Sequence, residues 1–312
     1  MRLKTFSAIL FSLLTAITLL ACGSGGGGGV GDGLGKVSFA LTDSATDQYR
    51  GVYITISDLQ ICSDSSERKD KECNWMSIDA PEEKQFPQTY NLLKLVNGIT
   101  ESIGNGEFSV GEYQQLRLII GLQPEIETNL LGEYHPAANY VILNDGNDTL
   151  VPLKIPSGPQ TGIKLVHPFT VDEGIKELVL DFDACKSVVK AGNSGKYILK
   201  PTIKVIEPID KIDIEGTVED ASEALIDGAM VSAQISDGLS TTVARSTVTD
   251  GEGTEGDNLE IGEFRLTLLS PNQIYNVVAY SSGDYPECVA FRYNDPDFEF
   301  PDLPLNFQLE AI

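Results

Sequence analysis

Carboxylates are the one kind of reactive side chain this sequence carries in quantity, with 46 Asp and Glu against 2 His. His135 and His167 each precede a proline, which favours extended or turn backbone, and neither stands at H-E-x-x-H or another ligand spacing. No G-x-S-x-G elbow occurs, and the glycine run at 25–29 lacks the lysine and following helix of a phosphate loop. With every recognised spacing missing, no catalytic residue is expected and the chain reads as a non-enzyme. The acids remain. Over Lys176–Ala184, Leu178, Leu180, Phe182 and Ala184 fall on one strand face and Asp181 and Asp183 on the other. Two carboxylates on one face suit an oxygen-ligated cation such as Ca2+, or a structural pairing with Lys164 or Lys186. Asp145 and Asp148 in NDGND read as a solvated hairpin turn. Asp250, Glu252, Glu255, Asp257 and Glu260 crowd one loop without the sixth-position glycine of an EF-hand. Asp181, Asp183, Asp250, Glu252 and Asp257 are therefore the metal candidates, with calcium the ion and no other cofactor expected.

Cys62 and Cys73 flank the polar loop SDSSERKDKE, between a strand ending at Ile61 and another around Trp75–Ile78. A disulfide across the base of that loop is expected. Whether Cys185 and Cys288 pair stays open, and the lack of any C-x-x-C spacing argues against zinc. Trp75 and Tyr53 suit either a sugar-stacking platform or core packing.

The formal net charge is −24. Such a chain repels phosphate backbones, so nucleic acid is not an expected partner, whereas cationic surfaces are compatible.

The elements that must position these groups are short strands. In Lys36–Ile61, Val37, Phe39 and Leu41 alternate with Ser38, Ala40 and Thr42, and after a polar turn Val52, Ile54 and Ile56 hold one face. The parity then slips so that Leu59 and Ile61 resume the face, which predicts a bulge near Ser57 and Asp58. Further strands are expected at 114–120, 140–143, 149–155, 163–166, 176–184 and 197–205, and one short helix at 90–96, stopped by Asn97-Gly98. Many short strands between turn residues predict an all-β protein of sandwich type.

At the N-terminus, Arg2 and Lys4 precede an apolar run from Phe6 to Leu20 that ends in Leu19-Leu20-Ala21-Cys22. This predicts a signal peptide over 1–21 ending in a lipobox, with Cys22 lipidated; the run is shorter than the ~20 residues that span a bilayer. Removing 1–21 takes two cations and leaves 20 − 46 = −26. Position 23, directly after Cys22, is glycine and not an acidic residue, so outer-membrane attachment is expected, with 22–35 a glycine-rich tether.

The ordered set Leu41-Thr42-Asp43, Tyr53-Ile54-Thr55-Ile56, Asn91-Leu92-Leu93-Lys94-Leu95 with Asn97-Gly98, and Gly111-Glu112-Tyr113-Gln114-Gln115-Leu116-Arg117-Leu118 continues further on. It runs through Ser157-Gly158, Gly162-Ile163-Lys164-Leu165, Asp181-Phe182-Asp183-Ala184 and Leu199-Lys200-Pro201. Together these resemble the bacterial lipoprotein domain of unknown function 4382, over 36–207. After Pro208-Ile209-Asp210-Lys211, the segments 212–218, 227–231, 249–250, 262–266 and 275–279 resemble a carboxypeptidase regulatory-like domain. That resemblance implies a non-catalytic transthyretin-type sandwich over 208–312. Its T-D-x-x-G-x-F turn is here opened by GEGTEGDNLEI between Asp250 and Gly262.

The reading that follows is an envelope lipoprotein serving as a binding or structural module, for polysaccharide or another envelope protein. Its alternatives are a calcium-stabilised adhesive or matrix protein and an accessory subunit of a secreted enzyme system.

Overall fold

Alternation of period two sends Val37, Phe39 and Leu41 of strand β1, Leu34–Asp43, into a core where each is at most 1 % exposed. The computed structural model describes residues 33–63, 73–156, 161–220, 222–250, 258–280 and 305–309. The signal peptide, Cys22, most of the tether, Glu252, Glu255, Asp257 and Cys288 lie outside them. Strand β1 is central in a four-stranded sheet, parallel to β10, Ile175–Phe182, and antiparallel to β5, Glu101–Ser109. Strand β13, Ile203–Ile206, closes the sheet beside β10.

A polar turn then carries the chain into a second sheet organised on β2, Tyr49–Ser63. Its first half pairs with β4, Gln88–Asn91, and β7, Tyr140–Leu143. The second half pairs with β3, Asn74–Ser77, and β6, Gly111–Ile120. The expected bulge is present, since the β2–β6 register shifts between Ile56 and Asp58. Strand β9, Ile163–Val171, extends the sheet beyond β6, and β8, Leu150–Lys154, extends it beyond β7. The short strands β11, Val188–Lys190, and β12, Tyr197–Leu199, continue past β8. One hydrophobic core fills the space between the two sheets, with Phe39, Leu41 and Leu180 meeting Ile54, Leu59 and Leu116.

Local chemistry explains where the elements differ from expectation. The helix expected over 90–96 contracts to a single 3-10 turn, Leu92–Lys94, capped by Asn91, whose Oδ1 accepts from Leu93 N at 3.3 Å. Asn97 and Gly98 then adopt φ of 55° and 83°. The strand expected over 197–205 is split at Lys200-Pro201, where proline has no N–H to give a ladder. Strand β5 escapes hydropathy reading because of its glycines. A Cβ on Gly104 would sit 2.8 Å from Ile78 Cγ2 and 2.9 Å from Asp79 O, so the residue is small because backbone and side chain press against it.

A second core lies C-terminal to the first. Strands β14, Ile212–Asp220, β17, Glu263–Leu269, and β19, Leu305–Leu309, form one three-stranded sheet. Strands β15, Met230–Ser236, β16, Thr241–Val248, and β18, Asn276–Tyr280, form the other. Ile214, Val218, Phe264 and Leu266 pack against Val231, Ala233 and Val277 between them. The chain is therefore all-β and of sandwich type, and residues Asp32–Ile312 form one compact unit.

Candidate functional site

The three acids at the C-terminal ends of β1 and β10 have three different partners. Leu178, Leu180 and Phe182 face the first core, which turns Asp181 to the opposite side of the sheet, toward the second sandwich. There Asp181 forms a buried ion pair with Arg245 of β16, the two side chains being 3 % and 5 % exposed. Arg245 Nη2 also donates to Thr42 Oγ1 at 3.1 Å, and that hydroxyl lies 3.0 Å from Leu95 O and 3.1 Å from Ile99 O. Strand β10 ends at Phe182, so Asp183 does not share a strand face with Asp181 as the alternation predicts. It caps a one-turn helix, Ala184–Ser187, accepting from Lys186 N at 2.9 Å and pairing with Lys186 Nζ at 2.5 Å. Of the two cations proposed as neutralising partners, Lys186 is present and Lys164 is replaced by Arg245. Among the described residues no group of three or more His, Cys, Asp or Glu is placed to hold a metal ion.

Asp43 is the third acid. Its Oδ1 accepts from Ala184 N at 2.9 Å, while Oδ2 is buried without a hydrogen-bond partner among the described residues. Burial pushes its carboxyl well above the usual range, and the nearby carboxylates of Asp181 and Asp183 add to this, against the Ala184 N–H. The folded state thus keeps a proton that the unfolded chain gives up above the ordinary carboxyl range. Stability from this group is complete below that range and falls as pH rises toward the folded-state value. Asparagine cannot ionise, so Asp43→Asn should flatten that decline. Urea unfolding at pH 4.5 and pH 7 measures it; a variant whose stability falls between the two as steeply as that of the wild type would contradict it.

A second polar knot joins the same surfaces. Asn97, left-handed and buried, donates from Nδ2 to Val248 O at 2.9 Å and accepts at Oδ1 from Arg265 N at 3.1 Å and from the Thr247 hydroxyl. At Gly98 an added Cβ would lie 2.8 Å from Thr267 Cγ2, so the two sandwiches close on a residue without a side chain. Ala45 N donates to Ser246 O at 3.2 Å and Ser246 Oγ returns a bond to Ala45 O at 3.0 Å. Thr42-Asp43, Asn97-Gly98 and Asp181-Phe182-Asp183, distant in sequence, converge here. Arg245, which completes the site, escapes sequence reading because it sits in a threonine-rich strand, TTVARSTV, with no motif around it.

Beside this seam lies a groove of about 720 Å3. Its walls carry Lys186, Lys204, Lys211 and Arg245, with Ile206, Leu269 and Tyr275 among the apolar residues. Leu268, also on the wall, holds a left-handed φ of 59°.

The other candidate residues are structural in their contacts. Asp145 Oδ1 accepts from Asn147 N at 2.9 Å in a turn, and hydrogen bonds, that of the Thr149 side chain foremost, lower its carboxyl pKa. Asp148 pairs with Arg50 at 2.5 Å. Asp250 is buried, with its backbone bonded to Glu263 and Gly262. His135 meets the Tyr140 hydroxyl at 2.8 Å, and burial lowers its pKa. His167 lies 3.8 Å from Glu207. Tyr53 is buried in a stack with Tyr140, centroids 4.6 Å apart, and the Arg117 guanidinium covers Trp75 at 3.9 Å, so these two rings do not form an open sugar platform. Cys62 and Cys73 form the expected disulfide, Cα atoms 5.8 Å apart, and Cys185 is disulfide-bonded as well.

The family model described as "Domain of unknown function (DUF4382)" matches residues 34–201. No curated protein matches. Among solved structures, the Bacillus anthracis TIE protein is similar at 9% identity and a TM-score of 0.20, over 89% of this chain and 33% of that one. A leucine-rich repeat protein from Bacteroides thetaiotaomicron is similar at 14% identity and a TM-score of 0.16, over 79% of this chain and 20% of that one. A point mutant of the shaft pilin SpaA from Lactobacillus rhamnosus GG is similar at 10% identity and a TM-score of 0.19, over 81% of this chain and 89% of that one. At these TM-scores no fold relationship follows, and the chain spans a third or less of the first two.

Proposed function

The chain belongs to the DUF4382 family through residues 34–201, and on that footing we propose that it is a non-catalytic binding module of the cell envelope. In this reading Cys22 carries lipid in the outer membrane and residues 22–35 are the tether. Residues 208–312 form a carboxypeptidase regulatory-like sandwich of transthyretin type, locked onto the family domain. Its partner is an envelope polysaccharide or protein.

The observation that supports this reading best is the groove beside the seam. Its volume, about 720 Å3, lies within the ~300–1,000 Å3 of ligand pockets, and it exists only while both sandwiches are held in register by Arg245, Asn97 and Gly98. A groove walled by two domains is a common place for a ligand.

Two measurements test the reading. Cys22→Ser should move the chain from the membrane fraction to the soluble fraction; unchanged fractionation would remove the anchor. On arrays of envelope glycans and in cross-linking to envelope proteins, the wild type should retain a ligand that Thr242→Trp, which fills the groove from an exposed wall position, no longer retains. Equal retention by both would remove the groove as the binding site.

A further inference from the structure

Charge in the groove runs opposite to charge on the molecule. The chain carries −24 overall, yet the groove walls bring Lys186, Lys204, Lys211 and Arg245 together against two acids, Asp181 and Asp183. Both acids are already engaged. Arg245 holds Asp181 and Lys186 holds Asp183. Lys204 stands directly across the β10–β13 ladder from Asp181, the position from which a cation ordinarily neutralises a strand carboxylate. Because Arg245 reaches in from the other sandwich and takes that carboxylate, Lys204 has no ion-pair partner among the described residues, and neither has Lys211. Lys204 is exposed and Lys211 half-buried, so both ammonium groups are open to a ligand.

The remaining lining indicates what kind of anion fits. Thr202, Thr241 and Thr242 supply hydroxyls, which both donate and accept. Ile206, Ile235 and Leu268, each half-buried, supply apolar surface suited to the C–H faces of a sugar ring. Lysines are point charges on flexible stems that receive carboxylate or phosphate alike, and the one Arg, whose fork would grip either anion in two bonds, is spent on Asp181. Separate point charges among hydroxyls and apolar atoms match carboxylates borne at intervals along a carbohydrate.

Resting on the reading of the groove as a binding site, we infer that its ligand is an acidic, uronate-type polysaccharide whose carboxylates are received by Lys204 and Lys211. The local field concentrates such a chain at the groove while the acidic remainder repels it elsewhere.

The test is calorimetric titration of the full chain in detergent with a defined oligogalacturonate, a neutral oligosaccharide of equal length and inorganic phosphate. The oligogalacturonate should bind and the neutral sugar should not, with affinity falling as salt is raised. The double variant Lys204→Ala/Lys211→Ala should bind about tenfold or more weakly, the loss of one or two charge-assisted contacts, while Lys154→Ala, exposed outside the groove, should bind like wild type. Three results would overturn the inference: no oligogalacturonate binding, binding undiminished in the double variant, or displacement of the sugar by phosphate at equal concentration. If oligogalacturonate fails while Thr242→Trp still abolishes retention of an envelope component, the ligand class is wrong and the binding groove stands. If neither variant alters any binding, both fall.

Discussion

Arg245→Ala should destabilise the protein by about 3–5 kcal/mol, because it leaves the Asp181 carboxylate buried with no counter-ion. Arg245 and Asp181 are both almost fully enclosed, and the second hydrogen bond of the guanidinium, to Thr42, is lost at the same time. The cost measures the orphaned charge more than any intrinsic strength of the pair. Replacing both partners by apolar residues of similar size, Asp181→Leu with Arg245→Met, should therefore recover most of the loss, as buried pairs exchanged for packing often do. Urea unfolding followed by Trp75 fluorescence and by far-ultraviolet circular dichroism gives two readouts. The only tryptophan lies in the first sandwich, whereas dichroism reports on both. In the wild type the two curves should coincide, and in Arg245→Ala they should separate as the sandwiches uncouple. A single-variant loss below about 1 kcal/mol would mean that water reaches Asp181 and that the seam does not depend on this pair.

Loss of the Cys62–Cys73 bridge should cost about 3 kcal/mol, set by the short loop it closes. Cys62 lies opposite Trp75 in the β2–β3 ladder, and Cys73 immediately precedes β3, so the bond holds a four-residue strand that has few ladder bonds of its own. The Cys62→Ser/Cys73→Ser variant should lower the urea midpoint by that amount and loosen the stack of Arg117 on Trp75, shifting the tryptophan emission. An unchanged midpoint would show that β3 is held by its side chains.

Period-two alternation makes the first sandwich readable, because Val37, Phe39, Leu41 and their partners have one face in a core and one outside it. The same rule misplaces Asp183. Alternation counts residues but does not say where a strand stops, and Phe182 is followed by a capped turn. Strand β5 is hidden by glycines that allow close approach to Ile78, and the threonine-rich β16 by weak alternation, which conceals Arg245 with it. A sequence can show that Asp181 faces away from its own core. It does not show that another sandwich is waiting there, since a pairing between residues so distant in the chain leaves no local pattern. The cysteine bridge is legible for the opposite reason, both partners flanking a single loop.

Strand β1 has a mechanical consequence. It is the first described strand of the chain, and it lies between two neighbours, matched to β10 over eight residue pairs and to β5 over another eight. A pull arriving through the chain before Gly33 runs along the strand axis, so it strains both ladders in shear and must break many hydrogen bonds together. A strand at a sheet edge pulled crosswise would instead give way one bond at a time. Tension applied at the N-terminus therefore meets one of the most resistant directions in the first sandwich, a suitable property for a domain that would be held to a surface by that end.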